Sequence, residues 1–163
     1  MTDRSERAVG LFLQGYSCAQ SVFASFYDVA GMDFEEALKL SSSFGAGMGR
    51  LREVCGALCA VFMIAGIRYG YSCPSDMEVK TEHYKLIQSL AEKFRAENNS
   101  IICRDLLGLG AGPDSPVPEE RTADYYNNRP CVKIIAFAAE LAGNLIAEKE
   151  ASAGSAGTPE VSG

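Results

Sequence analysis

The chain has 163 residues, 47% of them hydrophobic, and carries a formal net charge of −6 at pH 7. This length and apolar content fit one globular domain with its own hydrophobic core. Because a protein that binds a phosphate backbone needs a basic surface, the acidic charge argues against nucleic acid as a partner.

The pattern of charges also bears on targeting. The first ten residues, MTDRSERAVG, are charged where a secretory signal peptide has an apolar segment. The longest uncharged stretch, residues 54–67, is shorter than the roughly 20 residues that a membrane-spanning helix requires. We therefore expect a cytoplasmic protein without membrane insertion.

Capping patterns predict three short helices in the first part of the chain. Each pattern is an N-cap residue followed three residues later by Glu or Gln, and the pairs are Asp3 with Glu6, Ser17 with Gln20, and Asp33 with Glu36. The second helix should run towards Gly31 and carry Cys18 at its first position. The third should end before Gly45.

A glycine-rich segment then leads into the most apolar part of the sequence. Gly45, Gly47 and Gly49 alternate in SFGAGMGR, which favours close backbone approach to Cys55 or to another helix. Phosphate binding is not favoured, because neither a preceding strand nor a Gly-Lys-Ser/Thr ending is present. The following sequence, to about residue 70, is apolar on nearly every side, which is typical of a helix at the centre of a bundle.

The second half of the chain predicts three further helices. Ser75 with Glu78 indicates the start of a long helix, and Ser100 can cap a short one through Leu107, with Cys103 in its first turn. A loop should cover about residues 108–129. The last helix should begin at Pro130, which places Cys131 in its first turn.

These elements predict an all-α, single-domain bundle of about five to seven helices around a central apolar helix at about residues 50–70. The helical domain should cover residues 1–150. Residues 151–163 are small, polar and aperiodic, which is typical of a flexible tail.

Cysteine placement is the strongest functional signal. Six cysteines in a cytoplasmic chain of this size point to metal binding or redox chemistry rather than to a structural disulfide framework. Cys18, Cys103 and Cys131 fall at predicted helix starts, where unpaired N–H groups and the helix dipole favour a thiolate. Metal ligation and disulfide exchange both require thiolates.

Packing is the competing interpretation, because free cysteine is among the most buried residue types. Cys55 and Cys59 lie one turn apart in the most apolar segment, so capping alone would leave both in the core. No C-x-x-C pair is present, so a shared site requires the fold to bring distant helices together. Arg50 and Arg52 could stabilise a thiolate or an anionic cluster, or they could form a solvated basic patch.

Several stretches nevertheless match a known pattern. They are GYSCAQSVF, FGAGMGRLREVCGAL, CRDLLG and the late Pro130–Cys131. Together they resemble the redox-active proteins called the C_GCAxxG_C_C family, over about residues 15–145. In the CGAxxG core of this chain Ala60 replaces the final glycine and Cys59 is an additional thiol.

The resemblance implies that the family cysteines correspond to Cys18, Cys55, Cys103 and Cys131. A related domain in multihaem cytochromes of the split-Soret type is similar to an iron–sulfur module, although this chain lacks the C-x-x-C-H sequence for c-type haem. We therefore expect these four cysteines to bind an iron–sulfur centre of the [2Fe–2S] type for electron transfer with a redox partner protein.

Two alternatives stay open. The same cysteines could act in a thiol–disulfide oxidoreductase or redox sensor, or they could hold a structural zinc ion. Secondary site candidates are Cys59, Arg50, Gly47 and Gly49. A homodimer is compatible with the sequence.

Overall fold

Helices form the regular structure of this protein in the computed structural model, which describes residues 2–112 and 114–155. They are α1 (Asp3–Leu13), α2 (Cys18–Ala24), α3 (Phe34–Ser41), α4 (Gly45–Met48), α5 (Gly56–Tyr69), α6 (Met77–Asn98), α7 (Cys103–Leu106), α8 (Ala123–Asn127) and α9 (Cys131–Ser155). A 3₁₀ turn, Ser42–Phe44, precedes α4. Over the described ranges there is no strand, only one isolated antiparallel bridge between Val54 and Ile102. The all-α prediction is confirmed.

Helix α5 is the predicted central apolar helix, and it packs most extensively against α2 and α9. More than half of its residues are buried, including Ala60, which is fully buried where the CGAxxG pattern has glycine. However, α5 begins at Gly56, about six residues later than predicted. Residues 50–55 form an irregular connection. Its backbone forms hydrogen bonds with residues 101–104, around the start of α7.

A run of left-handed backbone causes this late start. Residues 46–50 all have φ between 55° and 70°, and Arg52 has φ 62°. Non-glycine residues in this region cost about 1–2 kcal/mol each, so the surrounding contacts must hold the segment in place. The result is that α4 is a sharply kinked turn rather than a regular helix, and it separates α3 from α5.

Other boundaries also differ from prediction. Helix α2 ends at Ala24 and continues only as turns towards Gly31, because 3₁₀-type bonds and the Ser25 hydroxyl, which donates to the carbonyl of Val22, tighten the chain there. The short α8 lies inside the predicted loop, capped by Thr122. Helix α9 continues five residues past the predicted boundary at 150, while residues 156–163 of the predicted tail lie outside the described residues.

The starts of four helices shift by one or two residues. The N-caps of α1 and α6 are Thr2 and Asp76, one residue before and one residue after the predicted caps. Helices α7 and α9 begin at the cysteines themselves, Cys103 and Cys131. The capping box of Ser17 with Gln20 is confirmed, with both of its hydrogen bonds formed at 3.0 and 3.3 Å.

One hydrophobic core joins α1, α2, α5, α6 and α9. Its largest fully buried side chains are aromatic and come from three helices and the turn after α2: Phe12, Phe23, Phe26 and Phe94. Within the described part of the chain, no helix is long and apolar enough to cross a membrane.

Candidate functional site

Four cysteines from distant parts of the chain meet around one cavity. Its volume is about 60 Å³, and its lining includes Cys18, Cys55, Cys103 and Cys131. The structure therefore brings together all four thiols of the predicted set. None of them forms a disulfide.

Each of these thiols lies at a helix start. Cys18 is the first residue of α2, as predicted, and Cys103 and Cys131, predicted in the first turns of their helices, are the first residues of α7 and α9. Cys55 is the N-cap of α5, which the sequence analysis missed because it placed the start of that helix near residue 50. The N-termini of four helices, with the positive ends of their dipoles, thus surround the cavity.

A short backbone clamp fixes Cys55 relative to Cys103. The Cys55 N–H donates to the carbonyl of Ile101 at 2.8 Å, and the Cys103 N–H donates to the carbonyl of Glu53 at 2.6 Å. Both bonds flank the bridge between Val54 and Ile102. The segment before α5 and the segment before α7 therefore hold their cysteines side by side.

Two glycines allow the cysteine-bearing segments to approach closely. A Cβ on Gly56 would lie 2.4 Å from the carbonyl oxygen of Phe44 and 2.7 Å from Cys18 Sγ. A Cβ on Gly47 would lie 2.6 Å from Cys103 Cβ. The predicted close approach of the glycine segment is confirmed, although Gly47 lies against Cys103 rather than Cys55. Gly49 is uncrowded and lines a neighbouring pocket.

The other two cysteines lie elsewhere. Cys59 is buried on another side of α5, where it lines an apolar surface pocket with Phe44 and Met63. Cys73 lies in an exposed turn before α6, with its sulfur 3.3 Å from Ser75 Oγ. Cys59, predicted as a secondary candidate, does not line the four-cysteine cavity.

Burial outweighs the helix-start effect on the thiols. Burial raises the pKa of Cys131 to about 12, and the neighbouring Cys18 thiol acts in the same direction. Burial and then Cys18 also raise the pKa of Cys55, and the backbone N–H groups of Ala57 and Leu58 oppose this only in part. The pKa of Cys103 is raised by burial too. The helix-start argument predicted acidic thiols at Cys18, Cys103 and Cys131, and this prediction is wrong for Cys103 and Cys131.

Arginines provide the positive charge beside the thiols. Arg52, buried, points Nη1 towards Cys103 Sγ at 3.9 Å, and this contact lowers the pKa of that thiol against the effect of burial. Arg121 and Arg129 also line the cavity, and both oppose the raised pKa of Cys131. The sequence analysis missed these two, because both lie in the segment that was interpreted as a loop.

Arg50 belongs to the same charge network without lining the cysteine cavity. Arg50 and Arg52 share Asp114, at N–O distances of 3.2 and 2.5 Å, and each lies 3.6 Å from a Glu119 oxygen. Arg129 pairs with Glu119 as well. The network connects the left-handed segment to the loop before α8, so the alternative of a solvated basic patch does not describe Arg50 and Arg52.

The thiols are not arranged as a preformed metal site. Among residues 2–112 and 114–155, no group of three or more His, Cys, Asp or Glu side chains is positioned to hold a metal ion. What the fold supplies is a small cavity with four thiols, several helix N-termini and three guanidinium groups. Chemically, that environment favours a group that carries negative charge.

Thiol reactivity provides a first test of this description. In the reduced, metal-free protein at pH 7, we expect iodoacetamide to modify Cys73 first, because it is exposed and its hydrogen bond from Ser75 lowers its pKa. Cys55 and Cys131 should react only slowly until urea unfolds the chain, because their pKa values are raised by burial. Mass mapping of the labelled peptides measures the order. Labelling of Cys131 as fast as that of Cys73 in the folded protein would contradict it.

Comparison with known proteins identifies the family of this chain. Searches of curated proteins and of solved structures gave no match. A family model described as "Putative redox-active protein (C_GCAxxG_C_C)" matches residues 16–145, which is most of the chain and contains all four cavity cysteines. The chain therefore belongs to the C_GCAxxG_C_C family of redox-active proteins.

Proposed function

We propose that the four-cysteine cavity binds an iron–sulfur centre of the [2Fe–2S] type and that the protein exchanges single electrons with a redox partner protein. The observation that carries this proposal is the convergence of Cys18, Cys55, Cys103 and Cys131 on one cavity. Four thiolates are the usual ligand set of such centres.

The size of the cavity supports a small centre. A volume of about 60 Å³ is room for about four to six water-sized groups, at about 10–15 Å³ for each probe sphere. A [2Fe–2S] core has four atoms, whereas a cubane core has twice as many. Because the thiols do not form a ready metal site in the described residues, loading would require their side chains to turn inward.

The charges around the cavity support a metal–thiolate centre over a neutral disulfide. Four thiolates with their metal ions leave net negative charge in a buried place, and such charge needs compensation. Arg52, Arg121 and Arg129 line the cavity, and the helix N-termini add partial positive charge. A dithiol that cycles to a disulfide needs no such compensation in either state.

The roles of the chain's own residues follow from their positions. When bound, the centre supplies a group that accepts and releases one electron. The cysteines would hold it, while Arg52 and the N–H groups at the start of α5 would stabilise its negative charge and set its potential. Apolar side chains of Phe12, Ile134 and Ile135 limit access of water to the cavity.

Thiol–disulfide exchange is the second candidate, and one contact favours it. Cys18 Sγ lies against Gly56, the residue next to Cys55, and Cys18 is the neighbouring thiol that most affects the pKa of Cys55. Oxidation of these two thiols would form one S–S bond and release two protons and two electrons to an oxidant such as an oxidised dithiol protein. The raised pKa values of Cys55, Cys103 and Cys131 argue against rapid exchange at these thiols.

Anaerobic reconstitution with iron and sulfide tests the proposal. We expect a coloured protein with about two iron and two sulfide per chain, as a [2Fe–2S] centre requires. The matched control is Cys73→Ser, which removes an exposed thiol and should load equally well. A colourless product without iron or sulfide would overturn the proposal. Zinc in that product would indicate a structural metal site, and a Cys18–Cys55 disulfide after mild oxidation would indicate thiol exchange.

A further inference from the structure

A second pocket adjoins the cysteine cavity on its solvent side. Its volume is about 260 Å³, and exposed residues such as Pro116 and Pro118 form its outer edge. It shares six lining residues with the cysteine cavity: Ser17, Ala46, Arg52, Arg121, Tyr125 and Arg129. We call it the arginine pocket, because Arg50 joins the three shared arginines in its lining.

The arginine pocket holds more positive charge than its carboxylates neutralise. Four guanidinium groups line it, and two carboxylates, Asp114 and Glu119, pair with three of them. The difference is a local charge of +2, since four positive and two negative groups take part. In a chain with a formal net charge of −6, this is a marked concentration of positive charge.

Among the four arginines of the arginine pocket, Arg121 is the one that forms no ion pair with a carboxylate of the described residues. No ion pair involves it in the part of the chain that the structure describes, and its Nη2 makes only a long contact of 3.4 Å to the carbonyl of Tyr16. Its Nη1 is buried without a hydrogen-bond partner. A buried donor without an acceptor is costly, which suggests that an acceptor from a ligand completes this site.

Aromatic rings hold the Arg121 guanidinium in this position. It lies 4.8 Å from the centroid of Phe12 and 4.5 Å from that of Tyr125. Tyr126, at 5.9 Å, adds a third ring. Stacking on rings fixes the planar donor fork, so less conformational entropy is lost when an anion binds.

We infer that the arginine pocket binds a small dianionic oxyanion directly beside the redox cysteines. Guanidinium forks recognise oxyanions through paired hydrogen bonds, and the local charge of +2 matches a dianion. The volume suits a small ion rather than a nucleotide or a drug-sized ligand, whose pockets usually exceed about 300 Å³. An anion bound there would lie next to the thiols, as a substrate or an effector of the redox site.

Calorimetric titration with sodium sulfate tests the inference on the reduced, metal-free full chain, with sodium chloride at equal ionic strength as the reference. We expect saturable sulfate binding that chloride does not reproduce. Arg121→Gln should weaken it at least about tenfold, because one charged donor fork is lost. Arg95→Gln removes the same charge from an exposed pair on α6 and should leave sulfate affinity unchanged within about twofold.

A gain-of-affinity variant protects the test against misfolding of Arg121→Gln. Glu119 is half exposed and competes for three of the arginines, so Glu119→Gln should tighten sulfate binding about threefold or more. Absence of saturable sulfate binding would overturn the inference. So would changes in sulfate affinity in Arg121→Gln and Glu119→Gln that are no larger than the change in Arg95→Gln. Because the protein is metal-free, failure to load iron does not affect this result, and failure to bind sulfate leaves the iron–sulfur proposal standing.

Discussion

Cys18→Ser should abolish incorporation of the iron–sulfur centre. Cys18 lines the cavity, and its Sγ would lie 2.7 Å from a Cβ on Gly56, the residue next to Cys55. Its thiol also contributes to the raised pKa of Cys55, Cys103 and Cys131. Loss of even an outer partner of a metal ligand commonly lowers metal affinity about 10–100-fold, and loss of a ligand should lower it further.

The measurement is iron and sulfide content per chain after reconstitution, together with the visible spectrum. Cys59→Ser is the matched control, because Cys59 is also buried but lines a different pocket, and a serine hydroxyl there can donate to the Val54 carbonyl that the sulfur faces at 3.9 Å. We expect Cys59→Ser to load like the original chain. Full loading of Cys18→Ser, or equal loss in both variants, would remove Cys18 from the ligand set.

Local sequence patterns were enough to predict most helices and three cysteine positions. The capping box at Ser17 and the helices at Cys103 and Cys131 depend on neighbouring residues only, so their signals survive without tertiary information. The start of α5 cannot be predicted from neighbouring residues in this way. Its late start depends on left-handed residues such as Met48 and Arg52, and composition gives no sign that non-glycine residues adopt that conformation.

The electrostatics of the site were harder to predict than its position. The dipole argument favoured acidic thiols, and the structure shows that burial dominates it at Cys131. Burial of a thiol depends on how distant helices pack, which no local pattern contains. Arg121 was missed for the same reason, since only the fold brings the segment before α8 to the ring of Phe12.

Gly56→Ala should destabilise the protein, although alanine is normally the better helix former. The added methyl group would lie 2.4 Å from the carbonyl oxygen of Phe44, which is backbone, and 2.7 Å from Cys18 Sγ. The Phe44 carbonyl can give way only if the backbone before α4 moves, and Cys18 can give way only if its thiol turns from its present position in the cysteine cavity. Overpacking of this kind typically costs about 1–3 kcal/mol in the free energy of unfolding.

Gly66→Ala is the matched control in the same helix. A Cβ at Gly66 would meet nothing within 4 Å, so the substitution should raise stability by about 0.5–1 kcal/mol through helix propensity alone. Urea unfolding of the reduced, metal-free variants, followed by circular dichroism, compares the two. Changes of opposite sign in the free energy of unfolding would establish that Gly56 is required for the contact between α2 and α5. Equal stabilisation by both substitutions would mean that these helices can separate. Because that contact sets the spacing of Cys18 and Cys55, Gly56→Ala should also lower iron incorporation, whereas Gly66→Ala should not.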